Sequence, residues 1–249
     1  MAKPLHFYNK WHLGDHFLTL LLLRKLVEAG EDVTYYCSPV YHYELSFCCG
    51  GVIVEDLDRM PRRAIDTWLG RIFFDHPLRR EDYVACQMDL YRLVCRDAKV
   101  PCPIRSKADL WFDWEEIQDN KIEAPDDKFF DVLIVNSVGK SSQCDSKPDD
   151  FNQLADKFAS KGLRVACTEP IPKYFCGKHF GFTCLDLATL AMTCSYVVGV
   201  QTAPIHLTVN RFMKPDCKWG IIHKGTRFDM GNRVSTFSNL REVEKWTLS

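Results

Sequence analysis

Apolar residues along this chain come in short unbroken runs that alternate with longer stretches of helical period. Residues 4–8 read as a strand, 9–14 as a loop, and the Leu-rich stretch beyond as a helix reaching about Ala29. Gly30 ends that helix and residues 32–37 (DVTYYC) supply the next strand, giving one β-α-β unit. A helix at about 40–47 and a short strand at 51–55 follow. Residues 59–105 read as helical and arginine-rich, and the polar stretch 118–128, with Pro125, reads as a linker.

The same grammar then returns. Residues 130–136 (FDVLIVN) read as a strand, 137–150 as a loop of Ser, Gly and Asp, 150–161 as an amphipathic helix closed by Gly162, and 163–168 (LRVACT) as a further strand. A helix over 185–193, with Asp186 in its first turn, leads into the run Tyr196–Val200. That run stops at Gln201-Thr202-Ala203-Pro204, and helical spacing resumes from Ile205, with Thr202 at the N-cap and Pro204 near the first turn. Two halves rich in β-α-β units predict an α/β protein of two Rossmann-like domains facing one another across a ligand cleft. The division is expected between residues 1–124 and 125–249.

The junction after Tyr196–Val200 carries the first chemical inference. A helix that starts at the end of a parallel strand aims backbone N–H groups and a partial positive charge at one spot, which suits a phosphate. Thr202, Ala203, Ile205 and His206 are therefore a candidate diphosphate cradle, against the plain reading of a capped helix after a buried strand. In SVGKSS (137–142) the first glycine of a phosphate-binding P-loop is missing, because Ile134 occupies its place. Lys140 can still neutralise a diphosphate as a compact charge, or simply be solvated. Glu169, at the end of the 163–168 strand, stands where doubly wound folds place an acidic residue on a ribose hydroxyl; a polar loop residue is the alternative.

Composition narrows the partners. Thirty-two Lys+Arg against 33 Asp+Glu leave a net charge of −1, which gives no global reason to expect nucleic acid. In the arginine-rich middle, Asp58, Asp66, Asp75, Glu81 and Asp82 interleave with the arginines, as on a solvated face. The longest early apolar stretch, 17–23, is too short to span a bilayer and lacks the layout of a secretion signal, so a cytoplasmic protein without a transmembrane segment is expected. The 12 cysteines contain no C-x-x-C pair, and several sit inside apolar runs, so they are expected reduced and mostly buried. No G-x-G-x-x-G follows the first strand, which disfavours a dehydrogenase, and no D-x-D triplet lies in a loop suited to a metal-held donor.

The order of these motifs resembles a known family. HLGDHFLTLLLLRKLVEAGEDVTYY near the N-terminus and CLDLATLAMTCSYVVGVQTAPIHLTV near the C-terminus are similar to the ADP-heptose:lipopolysaccharide heptosyltransferases, two-domain glycosyltransferases of the GT-B type. That family carries a Gly-Asp pair before a Leu-rich helix and a "DLA-L…A…-VG-DTGP-HLA" signature. The resemblance covers residues 4–37 and 130–212. Two positions depart from it: the family's donor-loop Asp is Gln201 here, and its Gly is Ala203.

The resemblance implies an inverting, metal-independent transfer of sugar from a nucleotide-diphosphate sugar to a glycan or other hydroxyl acceptor, with no cofactor beyond the donor. It places Asp15 as the base that deprotonates the acceptor; His12 and His16 flank it as candidate helpers, against the plain reading of surface or hydrogen-bonding histidines. Read from the residues alone, Asp15 is a helix-capping carboxylate. The donor would lie against Lys140, Glu169, Gln201, Thr202, Ala203 and His206. The loss of Asp at position 201 keeps a second reading open, a non-catalytic nucleotide-sugar or glycan-binding protein of the same fold.

Overall fold

The computed structural model describes residues 3–75, 82–122, 130–137, 148–223, 230–231 and 233–248. The chain divides into two compact units, Met1–Trp114 and Glu115–Ser249.

The first unit runs β1 (Leu5–Tyr8), α1 (Leu13–Glu28), β2 (Val33–Cys37), a 3-10 turn at Pro39–Tyr41, α2 (His42–Ser46), β3 (Ile53–Asp56), β4 (Ile65–Asp66), α3 (Gly70–Asp75) and α4 (Tyr83–Ala98). Its four strands are parallel, in the order β3-β2-β1-β4. Leu20, Leu21, Leu22, Leu23 and Leu26 of α1 are buried, as are Phe7 and Tyr35 of the sheet. A helix this apolar on every side belongs inside a domain. Its one buried cation, Arg24, donates to the Cys48 carbonyl (2.7 Å) and lies 4.5 Å from the Trp114 ring centre.

The helical reading of residues 59–105 holds for part of the segment only. Pro61 and Pro77 cannot continue a helix. The chain instead makes the two-residue strand β4 beside β1, then two helices. β4 is too short to leave a periodicity of its own.

The second unit runs α5 (Glu115–Asp119), β5 (Val132–Val135), a 3-10 turn at Pro148–Phe151, α6 (Asn152–Ser160), β6 (Val165–Cys167), β7 (Phe175–Cys176), α7 (Cys184–Ala191), β8 (Tyr196–Val200), α8 (Ala203–Thr208), β9 (Lys218–Ile222), β10 (Val234–Phe237) and α9 (Leu240–Leu248). Six parallel strands lie in the order β10-β9-β8-β5-β6-β7. β7, β9, β10 and α9 were not foreseen from the pattern. α5 belongs to this unit because Thr189 donates to the Ile117 carbonyl (3.0 Å) and Asn120 to Asp186 (2.9 Å). The division therefore falls ahead of residue 125.

Asp186 does more than cap α7. It accepts from the Thr183 backbone (2.8 Å), the Thr183 hydroxyl (2.7 Å) and Asn120. Asp186→Ala is expected to cost about 1–2 kcal/mol in urea denaturation. A cost near zero would mean that Thr183 caps the helix unaided.

α8 is short for a local reason. Thr208 turns its hydroxyl to the Ile205 carbonyl (2.7 Å) and Asn210 its amide to the Leu207 carbonyl (2.9 Å), so side chains take over the last turn. Every described cysteine is a free thiol, most of them buried. No described helix is long and apolar enough to cross a membrane.

Candidate functional site

In each sheet the chain starts in the middle, builds outward on one side, then returns to build on the other. The reversal lies between β1 and β4 in the first sheet and between β5 and β8 in the second. The crevice outside the carboxyl ends of the strands at such a reversal is where open α/β sheets bind ligands.

At the first reversal the chain leaves β1 through residues 9–12 into α1. Asn9 is fully buried; its Oδ1 accepts from the Trp11 backbone (2.9 Å) and its Nδ2 points to Thr19 Oγ1 (3.5 Å). Thr19 in turn donates to the Asp15 carbonyl (2.8 Å), and Thr67 to the Tyr8 carbonyl (3.0 Å). His12 is exposed at the N-cap of α1; its backbone N–H donates to Asp15 Oδ2 (3.3 Å) and its carbonyl accepts from the Asp15 N–H (2.9 Å). Asp15 thus caps the helix, and it is also chemically unusual. Burial pushes its carboxyl up to about 6, against the opposing pull of the His12 backbone hydrogen bond. His16 is fully buried, is lowered to about 4 by that burial, and sets Nδ1 2.5 Å from the Tyr35 hydroxyl.

At the second reversal the strands end in polar residues. The Glu169 N–H donates to the side-chain oxygen of Asn136, whose amide returns a bond to the Glu169 carbonyl (2.9 and 3.2 Å). Thr168 joins them, its hydroxyl accepting from the Asn136 backbone (3.1 Å). The Glu169 carboxylate pairs with Lys178 at 2.6 Å; that lysine is 63% exposed, so the bond is readily exchanged for another partner.

Gln201 is buried and its N–H donates to the Ile222 carbonyl (3.2 Å), which ties the turn to β9. Thr202 occupies the N-cap of α8, but its hydroxyl faces the Val200 carbonyl (3.4 Å) and does not cap the helix. Ala203 is the first helical residue and is half-buried. His206 is buried and pushed down to about 4, first by burial and then by the neighbouring His223. Both imidazoles are thus held toward the neutral form.

The structure therefore sets Glu169 at the end of β6 and Gln201, Thr202, Ala203 and His206 after β8, the two strands that flank β5, and Asp15 with His12 at the start of α1. Lys140 lies outside the described residues. Asn136 and His223 were missed by the sequence reading. Each had a signal there: a polar residue directly after an apolar run, in FDVLIVN and KWGIIH.

The buried histidines set an acid sensitivity. Their folded values lie below the ordinary 6.5, so the unfolded chain binds more protons as the pH falls from 6.5 towards 4, and stability drops over that window. Asp15, shifted upward, offsets part of the loss. Between pH 7 and pH 5, urea denaturation is expected to show about 2 kcal/mol lost for each of His16 and His206. Unchanged stability over that range would mean that the imidazoles are charged in the folded protein.

No known protein-family profile matches the chain, and no curated protein sequence matches it. Its fold, by contrast, is found in solved structures. Escherichia coli heptosyltransferase WaaC, solved with ADP-2-deoxy-2-fluoro heptose, superposes over 99% of both chains with a TM-score of 0.62 at 12% identity. A glycosyl transferase family 9 protein from Veillonella parvula covers 99% of this chain and 91% of its own, with a TM-score of 0.55 at 12% identity. The iron-containing dodecameric glycosyltransferase TibC of enterotoxigenic E. coli covers 95% of this chain and 63% of its own, with a TM-score of 0.57 at 14% identity. At these identities the likeness is one of fold: an α/β protein with two parallel sheets.

Proposed function

We propose that this protein is a glycosyltransferase of the two-domain GT-B type, moving a sugar from a nucleotide-diphosphate sugar to an acceptor hydroxyl with inversion and without a metal. The observation that carries the reading is Asp15, a capping carboxylate raised to about 6 at the ligand end of the first sheet. A base with that value is ionised at neutral pH yet still binds a proton well enough to take one from a hydroxyl in flight. The fold shared with WaaC and TibC, the former solved with ADP-2-deoxy-2-fluoro heptose and the latter with ADP-D-beta-D-heptose, supports the same reading.

In this mechanism the donor diphosphate rests on the start of α8. The departing nucleoside diphosphate gains negative charge as the glycosidic bond breaks. Thr202, the Ala203 backbone and neutral His206 supply hydrogen-bond donors to it, with Lys140 adding charge. Glu169 leaves Lys178 to hold the ribose, and Gln201 takes the place of the family's Asp beside the donor sugar. Asp15 accepts the proton of the acceptor hydroxyl as that oxygen attacks the anomeric carbon opposite the leaving group, with His12 next to it.

The test is a thermal-shift series against ADP-, GDP-, UDP- and dTDP-sugars and their bare diphosphates, with and without EDTA, followed by donor-hydrolysis assays. A ligand that binds only the folded state raises the melting temperature by mass action. A shift with one nucleotide that survives EDTA, together with slow release of its sugar, is the expected result. A shift without any hydrolysis would select the non-catalytic binding protein, the reading that Gln201 favours. The absence of any shift would overturn the transferase reading and leave a glycan-binding protein of the same fold.

A further inference from the structure

Two tryptophans stand at the reversal of the first sheet and have no part in the chemistry above. Trp11 is on the loop after β1 and Trp68 on the loop after β4. Their rings stack, with centroids 4.3 Å apart and planes 22° from parallel. Both are anchored. Trp68 donates its backbone N–H to Asp66 Oδ1 (3.0 Å), and its indole lies so close over Gly70 that a Cβ there would sit 2.3 Å from the ring. Trp11 is held through its backbone N–H by Oδ1 of the fully buried Asn9. Trp11 nevertheless keeps 43% of its surface exposed.

A large apolar ring left in water is unfavourable by about 25 cal/mol for each Å² that could have been buried. Here the ring is fixed, flat and placed at the ligand end of the sheet, which fits a binding surface better than an incomplete core. It also shares an end of α1 with the proposed base: Trp11 is the residue before the N-cap His12, and Asp15 is the third helical residue.

Three kinds of ligand lie flat on an indole: a cation, a planar π-system, and a pyranose ring through its C–H face. Lys10 precedes Trp11 in the chain and carries a like charge that opposes a cation. In the transferase reading the nucleobase travels with the donor to the second unit. The pyranose remains. Its C–H bonds carry partial positive charge toward the negative face of the ring, and its hydroxyls find partners in Asp15, Asp66 and Lys10.

We propose that Trp11, backed by Trp68, is the platform on which the sugar ring of the acceptor stacks, presenting a hydroxyl to Asp15. The identity of that ring as the acceptor rests on the transferase reading; the platform itself does not.

Saturation-transfer NMR with a panel of methyl hexopyranosides tests the platform, with adenosine and N-acetyl-tyrosinamide as comparison ligands. Wild-type protein is expected to transfer saturation to the ring C–H protons of at least one pyranoside. Trp11→Ala is expected to weaken that binding about tenfold or more, and Trp11→Phe to restore part of it. Because Trp11 is exposed, both variants are expected to fold, and the nucleotide-induced thermal shift should match that of wild type. Pyranoside binding unchanged in Trp11→Ala, no pyranoside binding at all, or preference for adenosine or the tyrosine amide overturns the platform. If pyranosides bind through Trp11 but no nucleotide shifts the melting temperature, the transferase reading fails and the sugar site stands.

Discussion

Replacing Asp15 by Asn is expected to remove sugar transfer almost completely while making the folded protein more stable at neutral pH. The loss of rate should be about 10²–10⁴-fold, the range for a general base in a transition state. The gain in stability follows from the same burial. The folded carboxyl sits at about 6 against an ordinary 3.8, so the folded state holds its proton more tightly than the unfolded chain does. Stability from this group is therefore greatest below pH 3.8, falls as the pH rises to 6, and stays reduced above that. An uncharged amide avoids the penalty, by about 2 kcal/mol at pH 7 after allowance for the group's partial exposure.

The cap survives the change, because an amide oxygen can still accept from the His12 N–H. Opposite signs for activity and stability mark a residue kept for chemistry. In wild type, kcat/KM should rise with pH and level off above about 6, and the variant should lack that rising limb. An Asp15→Asn protein that keeps its turnover and its pH profile would leave Asp15 as a helix cap only.

The second large effect is structural. Gly199→Ala is expected to destabilise the second unit by about 3–5 kcal/mol, at the upper end for overpacking because backbone has to move. An added Cβ would stand 2.0 Å from the Val135 carbonyl oxygen. Gly199 pairs with Val135 across β8 and β5, the two strands at the reversal, and both strands are almost wholly buried. The sheet cannot spread there without parting the ends that carry Asn136 and Gln201. Hydrogen exchange should therefore speed up in β5 and β8 while α1 and β2 keep their protection. A variant with unaltered exchange in β5 would show that the strands have room to move apart.

Much of this architecture is written locally in the chain. Apolar runs bounded by turn residues place β1, β2, β5, β6 and β8 within a residue or two. The run Tyr196–Val200 is reproduced without change because one half-buried and four buried positions end at a sharp polar turn. Gly30 and the Thr183–Asp186 cap mark helix ends by local chemistry alone. The order of these elements also specifies two β-α-β-rich parts, since each strand needs its neighbouring helix for cover. Asp15 is visible in the sequence as a carboxylate just inside a helix.

Other features depend on partners far along the chain. β4 and β7 are two residues each, and only an adjacent strand makes them strands. The elevated value of Asp15 comes from what is packed around it, which local spacing does not encode. The stack of Trp11 on Trp68 joins loops 57 positions apart in the sequence, and the reversals that line up Asn136, Thr168, Gln201 and His223 exist only once the strand order is set. The sequence by itself determined the elements and the residue types at their ends, because period, capping and turn chemistry act within a few residues. Tertiary structure decided which of those ends meet, because desolvation and ring stacking arise only when distant segments exclude water together.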